Sequence, residues 1–291
     1  MNETALKERL KIIAQEKGIT FNETWKQFLL ERFLARLSRS KHQGRFIFKG
    51  GLLLAQYIII GRETVDADFL MQRLKSEAPS IQSAMMEIIS IDLGDKFQFE
   101  WDSIEELMQP HMSYPGFRIT LKTYFGKMKD KIQVDIGVGD LVNPIEENIR
   151  VLQYKGKPIF GDEITLMIYP AETIFSEKLE TIISKGAINS RMKDYHDLLL
   201  LSREKELLEN NKLLAAIHTT FQHRGTNLKL PIQFDTIGIQ TLQKLWVNHL
   251  RTLGSFKEQL NLPNEIMVVI QEINSYLVMT QSVSNASKEK L

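Results

Sequence analysis

The chain contains no cysteine among its 291 residues. Disulfides, thiolate zinc centres, cysteine nucleophiles and iron–sulfur clusters are therefore excluded. A surplus of charge is missing too. With 37 Lys and Arg against 36 Asp and Glu, the net charge of +1 excludes a uniformly basic nucleic-acid coat and leaves local basic patches open. Long apolar runs are absent: the longest, Leu52 to Ile60, carries Gln56 and falls far short of the ~20 residues needed to span a bilayer. Met1 to Gly18 alternates charge with short apolar pairs and lacks the apolar stretch of a signal peptide. These absences predict a cytoplasmic protein with no membrane partner. What is present, 43% hydrophobic and 25% charged residues, is ordinary for a globular chain long enough for one large domain or two smaller ones.

Periodicity divides the chain in two. Thr20-Phe21-Asn22-Glu23 fits a capping box, and Trp25, Phe28, Leu29, Phe33 and Leu37 follow at helical spacing. A short strand over 45–48 leads into Lys49-Gly50-Gly51, a buried helix over 52–60 and a strand from Val65 to Leu70. A helix over 76–90 precedes strands at 97–101, 117–125 and 131–136, the last two flanking a hairpin connector at 126–130. A final strand is expected at 164–169. Beyond it the pattern turns to amphipathic helices at 171–185, 191–203, 205–222, 237–253 and 264–281, with a loop from Arg224 to Asp235. The expectation is a mixed α/β half over 1–169 and an α-helical half over 170–291 with a frayed tail at 282–291.

Two runs carry oxygen chemistry. Paired glycines after a strand let backbone amides approach a phosphate, and the helix that follows adds its positive end. In Arg62-Glu63-Thr64-Val65-Asp66-Ala67-Asp68, the strand period places Asp66 and Asp68 on one face, where two carboxylates persist best around a divalent cation such as Mg²⁺. Taken singly, each of these features also suits an ordinary turn or a solvated strand edge. Asp135 sits within the apolar strand Ile132-Gln133-Val134-Asp135-Ile136 and could complete the metal cage if that strand lies beside Asp66 and Asp68. Asp140 and Asp92 are rivals for that third place. Lys178 and Asp194 fall on consecutive helices joined near Gly186, an arrangement equally open to a surface ion pair. Arg32, Arg36, Arg39, Lys41, His42, Arg45 and Lys49 form a basic stretch before the glycine turn. Such runs are commonly solvated, but this position also suits guiding a polyanionic acceptor, with Arg36, Arg39 and Lys41 as the cations to replace. The six histidines, His111 included, show no metal-type spacing.

Gly50-Gly51, Asp66-x-Asp68 and a later strand aspartate together resemble the nucleotidyltransferase superfamily of the DNA polymerase β type. More narrowly, Lys49-Gly50-Gly51, Arg62-x-Thr64-x-Asp66-x-Asp68-Phe69, Glu177-Lys178-Leu179 and Lys193-Asp194-x-x-Asp197-Leu198 resemble the AbiEii/AbiGii toxins of abortive-infection and type IV toxin–antitoxin systems, in the right order over residues 45 to about 200. The resemblance implies a minimal nucleotidyltransferase fold with a mixed sheet and a C-terminal helical bundle contributing to the active site. It implies phage defence, Mg²⁺, a nucleoside triphosphate donor and a cognate antitoxin. By position, Asp66 and Asp68 resemble the metal ligands, with Asp135 as a third; Lys178 and Asp194 resemble the later catalytic pair. Lys49, Gly50, Gly51, Arg62 and Thr64 fall to the nucleotide. Leu52 departs from the Thr or Ser usual after the paired glycine. The acceptor implied is an RNA, such as the tRNA 3′ end, or a protein side chain. The alternatives are a non-catalytic nucleotide-binding module and a small-molecule nucleotidyltransferase of the antibiotic-modifying kind.

Overall fold

A computed structural model describes residues 1–74, 76–107, 116–161, 163–204 and 206–288. The chain forms two compact units: Met1–Gln56 with Glu63–Tyr169, and Tyr57–Arg62 with Pro170–Leu291.

The first unit opens with helix α1 (Glu3–Lys17), capped by Asn2 at one end and by Gly18 in the left-handed conformation at the other. Helix α2 (Phe21–Arg39) starts in the expected capping box: the Thr20 hydroxyl accepts from the Glu23 amide, and the Glu23 carboxylate accepts from the Thr20 amide. All five residues of its apolar stripe are buried. There follow β1 (Phe46–Lys49), α3 (Gly50–Tyr57), β2 (Asp66–Met71), α4 (Ala78–Ile89), β3 (Gln98–Leu107), β4 (Gly116–Phe125), β5 (Met128–Val138), β6 (Ile145–Asn148), β7 (Gln153–Tyr154), β8 (Lys157–Pro158) and β9 (Thr165–Ile168). Seven strands make one mixed sheet in the order β3-β4-β5-β2-β1-β9-β6. Its β2–β5 and β1–β9 pairs are parallel. Phenylalanines fill the space between α2 and the sheet; Phe33 of α2 meets Phe69 of β2 edge-on at 6.3 Å.

The strands depart from the sequence reading most at β3, at the β4–β5 hairpin and at β6. β3 continues to Leu107 because β4 pairs with it throughout, through a bulge between Trp101 and Ser103. The hairpin tightens to Gly126-Lys127, since main-chain pairing of Thr123 with Asp130 and of Phe125 with Met128 proceeds regardless of side-chain polarity. β6 has four exposed residues and no apolar alternation to announce it; its partner β9 holds it through the main chain.

The basic stretch before the glycine turn requires a correction. Arg32 and Arg36 are buried, each side chain 1% exposed, and both bind Asp95. His42 is buried against Glu87. The difference arises because α2 is buried on every side from Phe28 to Leu37, so that its charged residues there are enclosed and paired, not solvated. They cannot guide an acceptor.

The second unit comprises α5 (Ala171–Lys185), α6 (Met192–Arg203), α7 (Asn210–His223), α8 (Thr236–Thr252), α9 (Phe256–Gln259) and α10 (Ile266–Lys288). Helix α5 packs on α6 and α7, and α10 packs on α6, α7 and α8. Phe175, Leu179, Leu198, Trp246 and Ile273 are fully buried between them. Helix α7 starts later than the expected residue 205, and Lys205 itself lies outside the described residues. Helix α10 passes the expected end at 281, with the Ser282 hydroxyl donating to the Val278 carbonyl. Residues 289–291 of the tail lie outside the described residues, as does His111. Among the described residues, no helix is long and apolar enough to cross a membrane.

Candidate active site

Strand alternation builds the first group. In β2, Ala67 and Phe69 point into the core, so Asp66 and Asp68 take the other face. β5 runs parallel beside β2 with Asp68 opposite Asp135. Ligand oxygens of Asp66, Asp68 and Asp135 lie within 4.8 Å of one another, each residue half-buried. Asp135, placed conditionally by the sequence, is thus brought to the other two. Its rivals are elsewhere: Asp140 accepts from Lys49 at 3.2 Å, and exposed Asp92 accepts from the Gly94 amide. Three carboxylates offering only oxygen donors fit a hard divalent cation, which offsets their mutual repulsion.

The glycine turn abuts this group. Gly50 has φ +76°, and a Cβ there would lie 1.9 Å from Asp68 Oδ2, so both backbone and space demand glycine. The Asp68 carboxylate therefore sits against the N-terminal end of α3, where the helix dipole favours negative charge. Gly51 continues α3, and Leu52 is buried, so no hydroxyl stands at that position. Thr64 is buried ahead of β2. The Lys49 ammonium lies 3.2 Å from both Asp140 and the Tyr169 hydroxyl, 4.6 Å above the Tyr169 ring.

The second group lies within the helical unit. Asp197 of α6 is fully buried and receives the Arg62 guanidinium in two bonds, at 2.9 and 2.7 Å. The Lys178 ammonium of α5 is 2.7 Å from Asp197 and 3.4 Å from Asp194. Arg191 reaches the other Asp194 oxygen at 3.0 Å. Burial pushes the Asp197 carboxyl up, but Lys178 and Arg62 outweigh it and hold the group well below the usual carboxylate range. The sequence assigned no role to Asp197, although its separation of three residues from Asp194 puts both on one helix face. Arg62, expected at the nucleotide, has its guanidinium on this carboxylate.

Behind Asp197, His196 Nδ1 lies 2.8 Å from His249 Nε2. Burial pushes both imidazoles down to about 4, with Asp197 opposing and Arg62 adding to the shift. Both rings are then neutral in the folded protein at neutral pH, whereas the unfolded chain binds protons below its ordinary value of 6.5. Their contribution is intact above that value and is lost as pH falls towards about 4, by on the order of 3 kcal/mol for the fully buried His196. Urea unfolding at about pH 7.5, 5.5 and 4.5 should show stability falling steeply in the parent and less steeply in His196→Asn. Parallel slopes would remove the pair from the acid response.

Comparison with known proteins decides the family. The profile described as "Nucleotidyl transferase AbiEii toxin, Type IV TA system" matches residues 32–266. The chain belongs to the AbiEii family. No match was found among curated proteins. Among solved structures, the crystal structure of JHP933 from Helicobacter pylori aligns at 12% identity, covering 93% of this chain and 97% of that one, with a TM-score of 0.48. A second H. pylori crystal structure, of a protein provisionally assigned as a nucleotidyltransferase, aligns at 14% identity over 94% and 99%, with a TM-score of 0.42. AbiEii membership makes this a nucleotidyltransferase toxin of the type IV class, and the matched span contains both the carboxylate triad and the Lys178 cluster. Within the AbiEii chain, the sequence overlooked Arg118, bound to Asp135, and the bonding of Arg62 and Lys178 to Asp197.

Proposed function

We propose that the protein transfers a nucleoside monophosphate from a triphosphate to an RNA hydroxyl, such as that at a tRNA 3′ end. The observation that carries this reading is the row of Asp66, Asp68 and Asp135 beside the Gly50 turn. The acceptor oxygen bonds to the α-phosphorus, the bond to the bridging oxygen breaks, and pyrophosphate leaves with the displaced electron pair. The acceptor proton passes to a carboxylate or to water. A divalent cation held by Asp66, Asp68 and Asp135 would supply charge neutralisation at the phosphate oxygens and lower the acceptor's pKa. The chain's own contribution is orientation. The Gly50-Gly51 turn brings the start of α3, with its free amides, beside the carboxylate group, where phosphate oxygens can accept from them. Membership in a toxin family further supports an antitoxin partner that restrains this activity.

The test is incubation with each α-labelled triphosphate, Mg²⁺ and total RNA, followed by localisation of label. Label in RNA supports the reading. Label on protein or on an aminoglycoside-type small molecule redirects it to those acceptors, and no label with any triphosphate overturns it.

A further inference from the structure

The register of the sheet aligns five residues across adjacent strands. Lys49 of β1 pairs with Asp68 of β2, Asp68 with Asp135 of β5, Asp135 with Arg118 of β4, and Arg118 with Glu105 of β3. Directly paired residues present their side chains on the same face, so a charged row crosses the sheet through the carboxylate triad. Within it, Arg118 binds Asp135. Its Nε and Nη2 donate to the two Asp135 oxygens at 2.8 and 2.6 Å, a bidentate fork. The arginine side chain is 35% exposed and the aspartate 17%, so the pair is reachable from solvent. The remaining side chains on that face of β4 give the arginine no competing acid: Thr120 is uncharged, and Lys122 binds Asp102.

This fork has a consequence for any cation at the triad. Both Asp135 oxygens already face a guanidinium, and a divalent ion approaching Asp66 and Asp68 meets a like charge beside it. A free cation must displace Arg118 from this fork, leaving the guanidinium only the single exposed carboxylate of Glu105 across the β3–β4 ladder and water. A cation arriving with a triphosphate brings an anion that a guanidinium binds in the same bidentate fashion. We propose that Arg118 is a specificity-determining residue that occupies Asp135 in the cation-free protein and so favours loading of a cation–triphosphate complex over the free cation. The inference rests on the reading of Asp66, Asp68 and Asp135 as cation ligands and goes beyond it in assigning Arg118.

The test uses the full-length protein, with Mn²⁺ alone and Mn²⁺ with inorganic tripolyphosphate, followed by calorimetry and the electron paramagnetic resonance signal of free Mn²⁺. Arg118→Gln removes the charge at a half-exposed position. It should bind Mn²⁺ alone on the order of tenfold more tightly than the parent, because one repulsion and one competing ion pair are gone. Its gain on adding tripolyphosphate should shrink correspondingly. Arg118→Lys, which keeps the charge without the fork, should lie between the two. Equal Mn²⁺ affinities in folded parent and Arg118→Gln overturn the role of Arg118 while leaving the cation site standing. A parent that takes up no Mn²⁺ under either condition overturns the cation site, and this inference with it.

Discussion

Asp68→Asn should lower nucleotide transfer by at least about a thousandfold, corresponding to roughly 4 kcal/mol of lost transition-state stabilisation. Asp68 stands between Asp66 on its own strand and Asp135 on the neighbouring one, and its carboxylate lies against the start of α3. Neutralising it removes the anionic side chain at the centre of the group, and with it the ligand proposed there for the cation. Asparagine keeps the size, so the closely apposed Gly50 is not disturbed. A second readout separates chemistry from folding. In the absence of divalent metal, the variant should still unfold cooperatively within a few degrees of the parent, because asparagine keeps the size and much of the hydrogen-bonding reach of the side chain it replaces. The parent's melting temperature should rise with added Mg²⁺ or Mn²⁺, and the variant's should rise far less. Transfer within tenfold of the parent, in a protein that still folds, would exclude Asp68 from the reaction.

How much of this site could be read from the chain follows from the range of the interactions involved. Asp66 and Asp68 were legible because a strand's two-residue period fixes their shared face locally. The Thr20–Glu23 box and the apolar stripe of α2 were legible for the same reason, since the pattern and the contact lie within a few residues. Asp135 required one non-local fact, the parallel pairing of β2 with β5, and so could be read only conditionally. Arg118 needed two, the β4–β5 register and the identity of the residue opposite. Its strand shows a plain alternation of buried and half-exposed positions, which marks a face but not a partner. Arg62 and Asp197 are 135 residues apart, and no spacing rule links them. β6 was missed because an exposed strand with the sequence Ile-Glu-Glu-Asn has no hydrophobic periodicity to detect.

Charge was the least legible property, and Asp95 shows why. Among Asp92, Gly94 and Lys96 it looks like one more solvated turn residue, yet its side chain is 2% exposed. Arg32 Nε donates to it at 2.9 Å, Arg36 donates twice, at 3.0 and 2.8 Å, and the Phe97 amide adds a fourth bond. Burial pushes its carboxyl up, but Arg36 first and Arg32 after it prevail and hold the group below its ordinary value. Asp95→Ala would leave two buried guanidiniums without their carboxylate. Removing one partner of a buried ion pair costs about 3–5 kcal/mol, a large fraction of the roughly 5–15 kcal/mol that stabilises a domain. Contacts of Arg36 with the Arg32 and Phe97 carbonyls, and of the two guanidiniums with the Phe160 and Phe99 rings, remain and keep the loss from growing further. Urea titration followed by far-ultraviolet circular dichroism should show the midpoint falling sharply in Asp95→Ala. Arg36→Ala should show a comparable fall, and Arg39→Ala, on the exposed side of the helix, a change within about 0.5 kcal/mol. The same ranking governs any attempt to locate an RNA-binding surface in this stretch. A loss of RNA affinity in a variant that includes Arg36→Ala reports unfolding before it reports contact, whereas Arg39→Ala and Lys41→Ala together probe the surface alone. Unchanged midpoints in Asp95→Ala and Arg36→Ala would mean that the buried cluster does not hold the helix to its sheet.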